Sequence, residues 1–270
     1  MEHELFIKEV RRGIYLLDEG HEATGYLVIG ENKACVIDTM NGWNDLCAAV
    51  RKLTDKPLVL VNTHGHPDHI LGNAYFDKEV DHALISPRDR AMAESFFESI
   101  PEVKEMCRKC GHGIPPFADI REGDIIDLGG RTLEVFELAG HTDGEFLLLL
   151  REDRILFTGD GINHHLWLQL DGCLPMKEVL AEFDRLMFLE DRADVILHGH
   201  ARDLDDISLM RCLRNGIEEL CEGKTENDKP YHWFEGTDLQ HSFSCFADKH
   251  YQQADHVICY RKENLPTDIR

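Results

Sequence analysis

Three imidazoles and a carboxylate fall within six residues at His64-Gly65-His66-Pro67-Asp68-His69, which is a density of metal-ligand types that a polar loop rarely reaches by chance. Neutral imidazole with one carboxylate suits zinc first, with iron or manganese as alternatives. His64 and His66, two apart on an extended backbone, project to one side and can chelate a single ion. Asp68 and His69 follow after the turn and aim elsewhere, so one loop can serve two metals. Three further candidates each follow a glycine at the end of an apolar run: His141 in Ala139-Gly140-His141-Thr142, Asp160 in Thr158-Gly159-Asp160, and His200 in His198-Gly199-His200. Glycine permits a tight turn that aims the next side chain back over a sheet. The chain has sixteen His, so each of the three alone reads as a loop residue; together with the first cluster they read as ligands.

These residues need rigid elements behind them. The run Leu58-Val59-Leu60-Val61 is short, apolar and β-branched, hence a buried strand, with Gly65 and Pro67 ending regular structure beyond it. Before it, Leu5 to Val10, Ile14 to Leu17, Tyr26 to Ile29 and Ala34 to Ile37 form an antiparallel meander separated by Gly13, Gly20, Gly30 and Asn32. Trp43 to Leu53 has helical spacing and ends before Pro57. Ile70 to Phe76 reads as a short helix, Ala83 to Ser86 as a strand, and Pro87 opens a helix to about Ser99. Residues 100 to 118 break the rhythm and read as an insertion; Cys107 and Cys110 there have only His112 nearby, and a structural zinc wants a second ligand pair. From Glu122 the order restarts, with strands at Asp124 to Leu128, Thr132 to Leu138, Phe146 to Leu150 and Ile155 to Phe157, and a Gly129-Gly130 hairpin turn. Met176 to Leu189 is an amphipathic helix, Val195 to Leu197 a strand, and Asp206 to Glu222 a last helix. Two similar halves, strands first and helices after, predict an α/β chain in which two mixed β-sheets pack face to face with helices outside, a four-layer αββα sandwich over residues 1 to 222. Residues 223 to 270 have no clear place in that repeat and read as a C-terminal extension on the same domain.

Composition narrows the partners. With 51 acidic and 29 basic residues the 270-residue chain carries a formal charge of -22, a field that repels polyanions, so a small neutral or cationic substrate is expected and neither nucleic acid nor an anionic membrane surface. The acidic start and the lack of a long apolar stretch predict a cytoplasmic protein. Nine scattered cysteines fit reduced thiols. A homo-oligomer is compatible with the sequence.

The four motifs, in this order, resemble the pattern of the metallo-β-lactamase fold superfamily: His-x-His-x-Asp-His, Gly-His-Thr, Thr-Gly-Asp and Gly-His. The resemblance spans roughly residues 5 to 222 and includes Ile37-Asp38-Thr39 and Glu122-Gly123-Asp124. It implies that His64, His66 and His141 hold a first metal, that Asp68, His69 and His200 hold a second, and that Asp160 bridges them, with room for a bridging water. Where the family usually has proline this chain has His198, which leaves that residue open to a supporting or substrate-facing role. In the family the loop after the bridging aspartate lines the cleft; here it would offer His164, His165 and Trp167, with His21 on a second loop. Asp68 or His164 would protonate the leaving group. Within the superfamily, the resemblance favours glyoxalase II-like thioesterases and lactonases, which keep all seven ligands in one domain. The expectation is a dinuclear zinc hydrolase acting on an ester, thioester, lactone or amide, ahead of a mononuclear iron sulfur dioxygenase, a phosphodiesterase of the same fold, or a metal-binding protein without turnover.

Overall fold

All five residues of the strand Phe146–Leu150 are buried, yet they enter two different cores. Phe146, Leu148 and Leu150 meet a facing sheet, whereas Leu147 and Leu149 pack with helices. Successive strand side chains point to opposite faces, so a strand apolar at every position is covered on both sides.

The computed structural model describes residues 3–111, 113–233, 236–245 and 256–269. A seven-stranded sheet runs in the order β1 (Leu5–Arg11), β2 (Ile14–Glu19), β3 (Ala23–Ile29), β4 (Ala34–Ile37), β5 (Leu58–Val61), β6 (Ala83–Ile85) and β7 (Phe117–Asp119). It is antiparallel through β4 and parallel from β4 to β7. The chain between these strands forms α1 (Leu46–Arg51), α2 (Pro67–Ile70), α3 (Arg90–Ser99) and α4 (Pro101–Cys110). The second half contributes β8 (Ile125–Asp127), β9 (Thr132–Glu137), β10 (Phe146–Leu150), β11 (Ile155–Phe157), β12 (His165–Leu168), α5 (Met176–Leu186), β13 (Val195–Leu197), β14 (Asp205–Asp206) and α6 (Leu209–Cys221). Its six-stranded sheet has the order β14-β13-β11-β10-β9-β8, with β11 and β13 parallel.

Between the sheets, Ile14, Tyr26, Val28 and Ile37 interleave with Val135, Leu148, Phe157 and Leu197. Outside the first sheet, Leu46 and Val50 of α1 cover Val36 and Leu60. Outside the second, Val179 and Phe183 of α5 and Leu213 and Ile217 of α6 cover Leu147, Leu156 and Ile196. The layers are α, β, β and α, as the two repeated halves imply. The site sits at the carboxyl ends of the parallel pairs β4–β5 and β11–β13, where the chain must leave the sheets and can spend side chains on chemistry.

Three segments depart from the sequence reading. The insertion at 100 to 118 is not irregular: Pro101 occupies the first turn of α4, where its missing N–H costs nothing, and β7 extends the first sheet. The side chain of Cys110 and all of His112 lie outside the described residues, so the Cys-x-x-Cys expectation has no structural account. Pro67 likewise starts α2 instead of forbidding it. The stretch after Asp160, expected as a loop, becomes β12, the edge of a third sheet ordered β12-β17-β16-β15. Its other strands are β15 (Lys229–Trp233), β16 (Gly236–Ser242) and β17 (Val257–Tyr260). This sheet rests on the helix side of the second half, where Phe243, Ile258, Tyr260 and Leu265 join the core of α5 and α6. No helix among the described residues is long and apolar enough to cross a membrane.

Candidate metal centre

His64 follows β5 after Asn62 and Thr63, and this turn is held from below. The Asn62 amide donates to the His69 carbonyl (2.8 Å) and accepts from Asn73 (2.8 Å). His66 precedes Pro67 as the cap of α2, which carries Asp68 and His69 on its single turn. His141 arrives from the turn after β9, and Asp160 and His200 follow β11 and β13.

The donors meet in two groups. His64 Nε2, His66 Nδ1 and His141 Nε2 converge, with 3.1 Å between the first pair and 2.9 Å between the second. Asp68, His69, Asp160 and His200 form the other group. Asp160 stands between the two: its carboxylate is 3.2 Å from His200 Nε2 and 3.6 Å from His69 Nε2, and 3.8 Å from His141 Nε2. The loop from β5 thus feeds both groups.

Hydrogen bonds behind the rings select the nitrogen that faces inward. His69 Nδ1 donates to Asp38 Oδ2 (2.8 Å), His141 Nδ1 to the Trp167 carbonyl (2.7 Å) and His200 Nδ1 to the Glu22 carbonyl (2.7 Å). With a proton fixed on Nδ1, Nε2 is the nitrogen that each ring turns toward the centre and that would bind a metal. Inside the site, His69 Nε2 and Asp160 Oδ1 are buried without a hydrogen-bond partner. Buried polar atoms are ordinarily satisfied, and a divalent cation between them would satisfy both. The donor set therefore fits two zinc-class ions.

The electrostatics of the groups differ. Burial and the neighbouring imidazoles push His64 well below its ordinary pKa, and burial with His141 pushes His66 down to about 3. Those two rings stay neutral ligands. Burial alone would also lower His69 and His200, yet Asp38, Asp68 and Asp160 hold His69 well above its usual value, and Asp160 pushes His200 up to about 9. Asp160, which burial would raise, is held well below the carboxylate range by His200 and His69. In the second group protons occupy the place a cation would take.

Two carboxylates that sequence reasoning did not single out hold the site together. Asp89 lies beyond β6; one of its oxygens accepts the Gly65 N–H (3.1 Å) and the Thr142 hydroxyl (2.7 Å), the other the Gly144 N–H (2.8 Å). It ties the His64–His66 turn to the His141 turn across the two halves. Glu145 is fully buried, accepts the N–H groups of Asp160 (2.7 Å) and Gly161 (2.8 Å), and lies 3.6 Å from His64 Nδ1. Nothing in residue type marks either one before folding; Glu145 alone stands close to a ligand in sequence, shortly after His141.

The glycines before the ligands serve different ends. Gly159 has φ +49°, the left-handed turn expected of it. At Gly199 the reason is space: a Cβ there would stand 2.4 Å from Asp160 Oδ1 and 2.6 Å from the His69 ring.

The expected substrate contacts fare unevenly. His21, φ +63°, stacks on Phe6 and bonds Asp18 (2.5 Å), one residue from the carbonyl that orients His200. Trp167 enters through its carbonyl on His141, while its ring lies against His165 and Tyr231. His165 is exposed, with Nε2 3.3 Å from Cys259 Sγ. His164 and His198 lie together beside Asp205, and His198 Nδ1 accepts the His200 N–H (3.2 Å). They are 2% and 1% exposed and turn toward Asp205. The cause is the formation of β12, which draws His164 into the sheet interface.

The architecture and the four ligand motifs together define a class: the chain belongs to the metallo-beta-lactamase superfamily, whose family model matches residues 20–200. Acyl-coenzyme A thioesterase MBLAC2 of Gallus gallus is 29% identical over 239 residues, covering 78% of this chain and 86% of that protein. The hydroxyacylglutathione hydrolase of Rhizobium meliloti is 31% identical over 146 residues, 52% of this chain and 47% of that one. Among solved structures, a metallo-beta-lactamase from Pontibacter korlensis superposes with TM-score 0.63 at 19% identity, covering 80% of this chain and 99% of that one.

Proposed function

We propose that this protein is a dinuclear, zinc-dependent hydrolase of small acyl thioesters. The observation that carries the reading is the pair of donor groups with the Asp160 carboxylate lying between them. His64, His66 and His141 would hold one ion, Asp68, His69 and His200 the other, and Asp160 both. Two bound zinc ions would supply a water of near-neutral pKa and polarise the carbonyl under attack. The chain supplies the rest. The hydrogen bonds that the rings donate to Asp38 and to the Trp167 and Glu22 carbonyls fix the ring tautomers, and the Asp89 and Glu145 carboxylates hold the turns. Asp68, a third exposed against 13% for Asp160, is the more open carboxylate of its group and would pass a proton to the leaving sulfur.

The thioester class rests on relatives, one matching most of the chain and named an acyl-coenzyme A thioesterase, others named hydroxyacylglutathione hydrolases. Ester, lactone and amide substrates remain outcomes of the same assay. The test is elemental analysis of the purified chain with rates on acetyl- and longer acyl-coenzyme A, acyl-glutathione, an ester, a lactone, an amide and a phosphodiester. Two zinc ions shared between these two groups and preferred thioester turnover are expected. Asp160→Ala should keep its fold and lose about 10 to 100-fold or more in metal affinity and rate. An Asp160→Ala enzyme of full activity, or one iron per chain with oxygen-dependent turnover, would sink the reading.

A further inference from the structure

A second set of metal-type donors is buried away from the seven residues of the centre. His164 precedes β12, His198 lies in the turn after β13, and Asp205 is on β14. Their exposures are 2%, 1% and 6%. His164 Nε2 is 3.3 Å from Asp205 Oδ1 and His198 Nε2 is 3.1 Å from Asp205 Oδ2, so each ring addresses a different oxygen of one carboxylate. The two rings meet edge to face with centroids 5.4 Å apart.

These separations match a coordination shell. Ligand atoms about 2.1 Å from a tetrahedral zinc stand about 3.4 Å apart, and the His64, His66 and His141 nitrogens, at 3.1 and 2.9 Å, are drawn in as closely. The charge also calls for a cation. The Asp205 carboxylate is buried, and among the described residues no Lys or Arg pairs with it. A buried carboxylate charge is ordinarily paired or bound to a metal. We propose that His164, His198 and Asp205 form a third divalent-cation site, of the zinc class, which fastens the C-terminal sheet to the sandwich. The inference does not depend on the hydrolytic reading.

Loading has a structural consequence. A ring that binds through Nε2 carries its proton on Nδ1. His164 Nδ1 then donates toward His256 Nδ1, 3.4 Å away on the residue before β17. His198 Nδ1 must move off the His200 N–H, which now lies 3.2 Å from it, at the long end of hydrogen bonding. The competing arrangement needs no ion: both Nε2 atoms keep protons and donate them to Asp205, and His198 Nδ1 accepts the His200 N–H.

Diffraction from crystals of the full chain grown with zinc, recorded at the zinc absorption edge, separates the two. An anomalous peak between the two Nε2 atoms and the Asp205 carboxylate is expected, apart from any peaks at the centre. No peak there with zinc in excess overturns the site. In solution, Asp205→Asn should hold one zinc equivalent fewer than the parent while hydrolysis persists. Equal zinc content in a folded Asp205→Asn protein overturns it as well, and the anomalous map decides the matter if that variant fails to fold.

Discussion

The proton is the competitor of the metal at this site, and the two donor groups meet that competition on unequal terms. His66, pushed down to about 3, and His64, lower than an ordinary imidazole, have little proton to lose at neutral pH. His200, pushed up to about 9 by Asp160, and His69, also raised, must each release one. Metal affinity falls where a ligand must first be deprotonated. Zinc held by Asp68, His69, Asp160 and His200 should therefore bind more tightly as pH rises toward about 9, with proton release. Zinc on the group that contains His64 and His66, where neither of those rings has a proton to release at neutral pH, should depend less on pH. Dialysis across a pH series and calorimetry in buffers of different ionisation heat would show this; loss of both ions in one shared pH window would contradict it. The sequence announces all seven donors, because metal-ligand types are rare enough to be conspicuous when they crowd. It is silent on Asp89 and Glu145, since a carboxylate among 51 acidic residues becomes an anchor only when folding places backbone N–H groups beside it.

At the scale of elements, the C-terminal sheet is held by an imidazolium clamp. His241 of β16 is buried, with Nδ1 2.7 Å from Asp228 and Nε2 3.2 Å from Glu219 of α6, and the Tyr260 hydroxyl donates to the same Asp228 (2.6 Å). Burial would lower the His241 pKa, but Asp228 and Glu219 raise it, because only a protonated ring can donate from both nitrogens. A group whose folded pKa is raised stabilises fully below its unfolded value, near 6.5 for histidine, and ceases to as pH climbs through the folded value. His241→Gln should cost about 1 to 2 kcal/mol in mildly acid solution, mostly from the Asp228 contact because Glu219 is solvent-screened, and less in alkaline solution. Melting curves of parent and variant that stay equally far apart at all pH values would show that the clamp carries no charge.

This sheet also marks the limit of what the sequence disclosed at that scale. Runs such as Ala34–Ile37, Leu58–Val61 and Phe146–Leu150 appear at their observed bounds because burial on two faces leaves an uninterrupted apolar signature. Gly236–Ser242 carries polar residues at most positions and Lys229–Trp233 opens on Lys and Pro, so neither alternation nor length distinguishes them from loop. His165–Leu168 is a strand only because Val257–Tyr260, some ninety residues later, pairs with it in parallel. Pairing of that range leaves no local trace.

For the whole molecule, a charge of -22 sets terms for any substrate that approaches. A coenzyme A thioester is itself anionic, so its encounter is opposed at low salt and eased when ions screen the field, over a Debye length of about 10 Å at 0.1 M. KM for an acyl-coenzyme A should thus fall as ionic strength rises, while a neutral thioester probe of the same acyl chain stays level. Labelled single-stranded and duplex nucleic acid should bind negligibly at low salt. Tight binding that weakens steeply with salt would place the protein on the nuclease branch of the fold.

Each donor group draws on both halves of the chain: His64 and His66 against His141, Asp68 and His69 against Asp160 and His200. Neither half owns a site, so ions at these groups would be bound by the docking of one sheet on the other. Cutting the chain at Gly123, where φ is +85° and a side chain would meet nothing within 4 Å, would leave all of the first sheet in one fragment and all of the second in the other. Such fragments would form a zinc-gated complementation pair: reassembly should tighten with free zinc by mass action and reverse on chelation, turning the hydrolase into a sensor that reports its own metal.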